Sequence, residues 1–200
     1  MTPPELHPAQ NRGLRELVAT TRHLADHWAA LAERLDADVL GIGAGAATEL
    51  IDGVRPLMEA RGLYGGAAAQ SVGVTLAGSR SQVGDRFLER NQALRTAVLD
   101  VQHVVTLLGY QAQIAETRGD EELARALRVH ERELLSVERA ARRAVVKLGT
   151  QPDAAIERLD PSPAGRLAHG AANAAGTVGE WVDRKRGESA TPAAERPPEG

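Results

Sequence analysis

The residue types best suited to metal chemistry lie in a segment of helical periodicity between residues 121 and 148. On a helical wheel, His130, Glu131 and Glu138 fall on the same side as the leucines of this segment. Charged side chains rarely occupy such a side without partners. One hypothesis is therefore a metal site, because cations inside helical bundles take ligands that converge from facing helices. The other is that these side chains pair with Arg or Gln across the bundle, or lie at its solvated end.

Three other segments contain weaker candidates for metal ligands. Asp100 and His103 have the spacing that places two ligands on one helical face, although His103 lies opposite the main apolar stripe of its segment. Glu49 flanks the apolar stripe of an earlier segment, and Glu16 and His27 lie at similar margins of the first one. Acidic side chains at such margins more often keep a helix solvated than bind a metal. Of these residues we add only Glu49 to the predicted ligands.

Several other chemistries are excluded by residue type. The chain has no cysteine, which excludes disulfide bonds, thiolate zinc sites and a cysteine nucleophile. Ser, His and Asp occur without the strand, turn and helix that would present a nucleophile. The glycine-rich run 41–45 is similar to a phosphate-binding loop, but it follows no strand and precedes no Lys-Ser or Lys-Thr pair, so it is better explained as a helix-packing surface. The residue types and motifs together therefore favour a protein that is not an enzyme.

The composition indicates closely packed helices and gives little reason to expect a highly charged partner such as nucleic acid. Apolar residues make up 42% of the sequence but aromatic residues only 2%, and Ala, Leu and Val take their place. With 24 basic and 27 acidic residues the net charge is -3, which gives no basis for binding nucleic acid. No window has the apolar length of a spanning helix, the start has no leader pattern, and the basic run 184–186 is too short for firm lipid contact. We expect a cytoplasmic protein without nucleic-acid or membrane partners.

Apolar periodicity predicts an all-α fold, an antiparallel four-helix bundle over residues 14–149. Residues 1–13 contain three prolines and no apolar period, so we expect a flexible lead-in there. The first helix should end near Asp36. The second should begin after an N-cap at Asp38 and be kinked or restarted at Pro56.

The second half of the predicted bundle begins after a glycine-rich stretch at 62–84, which we expect to be a crossover between two helical hairpins. A third helix is predicted over residues 85–118. Gly119 and Asp120 then provide a C-cap and an N-cap, and the fourth helix should run until Gly149 stops it.

The C-terminal part is predicted as a linker at 150–163, an amphipathic Gly/Ala-rich helix at 164–186 and a disordered tail at 187–200. The apolar side of that helix carries three residues suited to protein contact: Leu167, Val178 and Trp181. The third helix of the bundle is apolar on two sides, which predicts that this C-terminal helix or a second subunit covers it. We therefore expect a homo-oligomer or a protein partner.

The runs Gln111–Glu116, Gly119–Ala124 and His130–Leu134 resemble the ferritin-like superfamily, in particular its small bacterial stress-associated members of uncharacterised function. The resemblance covers the third and fourth helices by residue type, the first two by pattern alone, and nothing after about Gly149. It implies a four-helix bundle that holds a carboxylate-bridged pair of iron or manganese ions.

Two positions depart from the Glu-x-x-His pattern that the resemblance implies. Leu134 lies three residues after Glu131, and Asp52 lies three residues after Glu49, at positions where the pattern has a histidine. Ferroxidase or oxygenase activity is therefore not expected. The leading hypothesis is a ferritin-like bundle that acts by oligomerisation or protein contact in a stress or storage setting. The alternative is an iron- or manganese-binding oxidoreductase or iron-handling protein that uses the remaining carboxylates, and the sequence assigns no cofactor beyond these two metals.

Overall fold

The structure is a computed structural model that describes residues 5–64 and 88–159, together with residues 162, 163 and 166. Within residues 5–64 and 88–159 its elements are four long helices and one short helix: α1 (Pro8–Leu35), α2 (Asp38–Glu59), α3 (Arg90–Thr117), α4 (Glu121–Leu148) and α5 (Pro152–Ala155). In the described part of the chain the only extended pairing is an antiparallel bridge between Glu89 and Arg158. The prediction of an all-helical fold is confirmed for these residues. None of these helices combines the length and the apolar character that crossing a membrane requires.

The four long helices pack in a ring in the order α1, α2, α4, α3. Arg90, at the start of α3, donates a hydrogen bond of 2.6 Å to the carbonyl oxygen of Leu35, at the end of α1. Arg61, just after α2, pairs with Asp120, just before α4. Each helix of the second hairpin therefore starts where its neighbour in the first hairpin ends. All neighbouring helices are antiparallel, while α2 and α3 run in the same direction across the diagonal, so the connection between them joins opposite ends of the bundle.

The start of α1 corrects the sequence prediction, because the helix begins at Pro8 and the flexible lead-in predicted at 1–13 is wrong for that part. Proline suits the first turn of a helix, since its fixed φ is helical and its missing N–H would have no helical partner there. His7 caps this turn, its Nδ1 accepting a hydrogen bond of 3.1 Å from the backbone N–H of Ala9. Gln10 is already buried against the core.

Three other details of α2 and α3 differ from the prediction. Asp38 is the first residue of α2 rather than its N-cap, and its carboxylate there favours the positive end of the helix dipole. The helix continues through Pro56 instead of restarting, because this proline lies in its last turn and removes only one backbone hydrogen bond. α3 begins at Arg90, after a capping box at Glu89, whereas the predicted start at Asp85 lies outside the described residues.

The turn between α3 and α4 follows the prediction. Gly119 has a φ of 72°, the left-handed conformation that glycine adopts most easily after a helix. The side chain of Asp120 accepts a hydrogen bond of 3.3 Å from the backbone N–H of Leu123. α4 then ends at Leu148, directly before Gly149.

The core of the bundle consists of leucine, valine and alanine side chains around a fully buried Trp28. Gly43 of α2 lies against this indole, and a Cβ at that position would overlap the ring. Most of the predicted crossover at 62–84 lies outside the described residues, as does the predicted tail at 187–200. The same holds for the helix predicted at 164–186 apart from Arg166, and therefore for three predicted contact residues: Leu167, Val178 and Trp181.

Candidate metal centre

The acids predicted as ligands on α4 have partners of other kinds. Glu131 accepts a hydrogen bond of 2.9 Å from Arg128 on the same helix, and its carboxylate lies against Gly109 of α3. Glu138 accepts hydrogen bonds of 2.9 Å from Gln102 of α3 and 3.1 Å from Arg142. Of these pairings only the one with Gln102 crosses the bundle, as the second interpretation expected, whereas Arg128 and Arg142 lie on α4 itself.

The other two predicted ligands, Glu49 and His130, also do not come together with the acids of α4. Glu49 is exposed on α2. His130 packs its ring over Gly53 of α2, where a Cβ would approach its Nε2 to 2.8 Å. Its Nδ1 is buried and stays 3.5 Å from the carboxylate of Glu133 without forming a hydrogen bond. Within the described residues, the structure does not bring the four predicted ligands together as a metal-binding group.

A different group has the arrangement of a metal site. Among the described residues, one set of three side chains presents ligand atoms that all lie within 4.8 Å of one another: His23, His27 and Asp100. His27 and Asp100 were each noted in the sequence as separate marginal candidates, while His23 was missed. The signal for His23 was its spacing from His27, since two histidines one turn apart on a helix share a face and recur as metal ligands.

α1 supplies the two imidazoles. His27 is 5% exposed and borders the leucine stripe that packs into the core, whereas His23 lies one turn earlier and is half-buried. Their rings are stacked, with centroids 5.4 Å apart and planes inclined by 22°. Because both side chains leave the same flank of α1, their nitrogens reach the same point beside α3.

α3 supplies the carboxylate. Asp100 borders the buried face of that helix, and its Oδ2 is 3.2 Å from Nδ1 of His27 across the α1–α3 interface. Three ligands held around 2.1 Å from a zinc ion are about 3.4 Å apart when the geometry is tetrahedral. The 3.2 Å between His27 and Asp100 matches this spacing, and the three ligand atoms all lie within 4.8 Å of one another.

A second pair continues along the same interface. His103 lies one turn after Asp100 on α3, and its Nε2 is 3.5 Å from Oε1 of Glu16 on α1. His103 is 52% exposed and Glu16 33% exposed, compared with 5% for His27 and 16% for Asp100. We call the strip formed by these residues the α1–α3 groove: Glu16, His23, His27, Asp100 and His103. Three of the six histidines of the chain lie in it.

No protein-family model, curated protein or solved structure matches this chain. What the α1–α3 groove can bind follows from its own donor atoms, which are imidazole nitrogens and carboxylate oxygens. Imidazole is a ligand for zinc, copper, iron and nickel, and a carboxylate adds charge compensation for a divalent ion. The site is thus suited to a divalent transition metal.

Proposed function

We propose that this protein is a ferritin-like helical bundle that binds a divalent transition-metal ion between α1 and α3. The observation that carries the proposal is the convergence of His23, His27 and Asp100 within 4.8 Å from two different helices. The metal binding is the alternative that the sequence suggested, but its ligands are these three side chains rather than the acids of α4. Because two of the ligands are imidazoles, zinc joins iron and manganese as a candidate ion.

The ferritin-like part of the proposal is supported by topology. Two antiparallel hairpins are joined by one connection between opposite ends of the bundle, and ferritin-like folds have a single long crossover of this kind. The site differs from the family pattern in lying on one flank of the bundle, between two helices. Its ligands also have the spacings His-x-x-x-His and a lone Asp instead of paired Glu-x-x-His motifs.

The test is a calorimetric titration of zinc into the full-length protein, purified without a histidine tag and stripped of metal. We expect one ion per chain, and a loss of affinity of at least about tenfold in His27→Ala and in Asp100→Asn, since even an outer-sphere partner contributes that much to a metal site. His130→Ala and Glu138→Gln are the matched controls, because both residues are partly buried on the α2, α3 and α4 side of the bundle. Binding that is lost in the controls and kept in His27→Ala would refute the proposal.

The expected role in protein contact stands as a second proposal. It is supported by large apolar side chains that stay exposed on α3, with Leu99 and Tyr110 each 53% exposed. Analytical ultracentrifugation of the full chain over a range of concentrations tests it. We expect oligomers that dissociate in Leu99→Asp, and a monomer at every concentration would contradict this proposal. The stress or storage setting expected from the resemblance stays a prediction.

A further inference from the structure

The position of His103 decides whether the proposed metal site is open or closed. On α3, His103 follows Asp100 by one turn, so the two side chains leave the same helical face with Cβ atoms about 5–6 Å apart. On α1, His23 and His27 have the same relationship. Each helix therefore contributes a one-turn pair to the α1–α3 groove.

His23 and His103 lie in the same direction from the contact between His27 and Asp100. Because α1 and α3 are antiparallel, the step from His27 back to His23 and the step from Asp100 on to His103 both lead toward the start of α1. His27 faces Asp100 at 3.2 Å, so His23 and His103 lie on the same side of that contact. The group whose ligand atoms lie within 4.8 Å of one another does not include His103, which lies beside it, on the same side as His23.

The described contact of the His103 side chain is a weak one. Its only described ionic partner is Glu16 at 3.5 Å, and both side chains of this pair are substantially exposed to solvent. Exposed pairs of this kind contribute little to stability, far less than a bond between a metal ion and an imidazole. Rotation of the imidazole away from Glu16 exchanges a weak contact for a ligand bond.

We infer, on the basis of the metal binding proposed above, that His103 is the fourth ligand of a closed tetrahedral site. The site then combines His-x-x-x-His on α1 with Asp-x-x-His on α3. Four protein ligands in a tetrahedron are the arrangement of structural zinc sites, whereas catalytic sites keep one position for water or substrate. This assigns zinc, or cobalt in its place, as the preferred ion and gives it the role of fastening the two hairpins together.

The test uses cobalt(II) as a spectroscopic probe on the metal-free, tag-free full-length protein. Tetrahedral cobalt(II) absorbs visible light far more strongly than six-coordinate cobalt(II). We expect intense visible bands in the wild type, and weak bands with an affinity reduced at least about tenfold in His103→Ala. Glu16→Gln removes the competing carboxylate and should raise the affinity, by up to about fivefold. His130→Ala is the control and should leave the spectrum unchanged, and circular dichroism checks that each variant keeps its helices.

The possible failures are distinguishable. Equal affinity and equally weak bands in the wild type and in His103→Ala, with binding still lost in His27→Ala, would overturn the fourth ligand and leave the three-ligand site standing. A wild-type protein that binds no cobalt, or binding that persists unchanged in His27→Ala, overturns both the fourth ligand and the proposed function.

Discussion

The guanidinium of Arg61 donates two hydrogen bonds of 2.6 Å to the two carboxylate oxygens of Asp120. The side chains are 1% and 3% exposed, so the ion pair is buried at the end of the bundle where α2 finishes and α4 begins. Arg61 also donates to the carbonyl oxygen of Leu57, and Asp120 caps α4. One buried ion pair thus joins the two hairpins and stabilises the end of α2 and the start of α4.

Removing the charge of Asp120 should destabilise the fold strongly. Asp120→Asn keeps the shape and an N-cap acceptor but leaves the guanidinium of Arg61 buried without its main partner. We expect a loss of about 3–5 kcal/mol in the free energy of unfolding, toward the lower end because Glu122 remains 3.4 Å from Arg61. Urea unfolding followed by circular dichroism measures it. Asp52→Asn, which breaks the exposed pair with Arg55, is the matched control and should change stability by less than about 1 kcal/mol.

The same pair predicts a dependence of stability on pH. Burial alone would raise the pKa of Asp120, but the hydrogen bonds from Arg61 and Leu123 and the charge of Arg61 together hold this pKa below its usual value of 3.8. A depressed pKa in the folded state means that the contribution is complete above the unfolded-state pKa and is lost as the pH falls through the folded-state pKa. The stability difference between wild type and Asp120→Asn should therefore be constant near neutral pH and shrink below about pH 4. A difference that stays constant into strong acid would show that the carboxylate is not the group responsible.

Two glycines of α2 should respond to alanine in opposite ways. At Gly43 a Cβ would overlap the ring of Trp28, which is fully buried, and would approach Cγ1 of Val137 to 2.9 Å. We expect Gly43→Ala to destabilise the protein by about 1–3 kcal/mol in chemical denaturation. At Gly45 a Cβ would meet nothing within 4 Å, so Gly45→Ala should stabilise the helix by up to about 1 kcal/mol. Equal effects at the two positions would show that contact with the indole is unimportant.

Gln111 should be replaceable with a gain in stability. Its side chain is fully buried, and both its amide nitrogen and its amide oxygen have no hydrogen-bond partner in the described part of the protein. An unsatisfied buried polar group costs about 1–3 kcal/mol, so the similarly shaped methionine in Gln111→Met should raise the free energy of unfolding by about that amount. Gln113→Met, at an exposed position of the same helix, should stay within about 0.5 kcal/mol of wild type. A destabilised Gln111→Met would indicate that bound water satisfies the amide.

Metal binding should be visible as thermal stabilisation. A ligand that binds only the folded state at a hundred times its Kd adds about 2.7 kcal/mol to the free energy of unfolding. We expect this increase with zinc in the wild type, measured by calorimetry, and little or none in His27→Ala. An equal rise in melting temperature in both proteins would place the responsible ion elsewhere.

Local signals predicted the helix ends best. The turn at Gly119 and Asp120 and the end of α4 before Gly149 were predicted correctly, because capping depends on residues next to one another in the chain. The start of α1 was missed, since a proline is compatible both with a loop and with a helical first turn. Helical periodicity was sufficient for the all-α fold.

The sequence predicts which side chains of the candidate site border the core, but not that they meet. A helical wheel shows which side chains border the core, as it did for His27 and Asp100, but not which neighbouring helix each flank faces. Those two residues are separated by 73 positions in the chain, and they meet only because α1 packs against α3. The same limitation hid the partners of Glu138, whose contact with Gln102 depends on the pairing of α3 with α4.

The parallel course of α2 and α3 has a consequence for the timing of assembly. Each hairpin consists of helices adjacent in sequence, so it can form early from local contacts, whereas the docking of one hairpin on the other joins residues that are far apart in the chain. His27 and Asp100 belong to different hairpins, and so do Arg61 and Asp120. Neither the proposed ligand set nor the buried ion pair can therefore form before the hairpins dock. We therefore expect a chain arrested as two separate hairpins to be unable to hold the ion, so that metal capture marks the last step of folding.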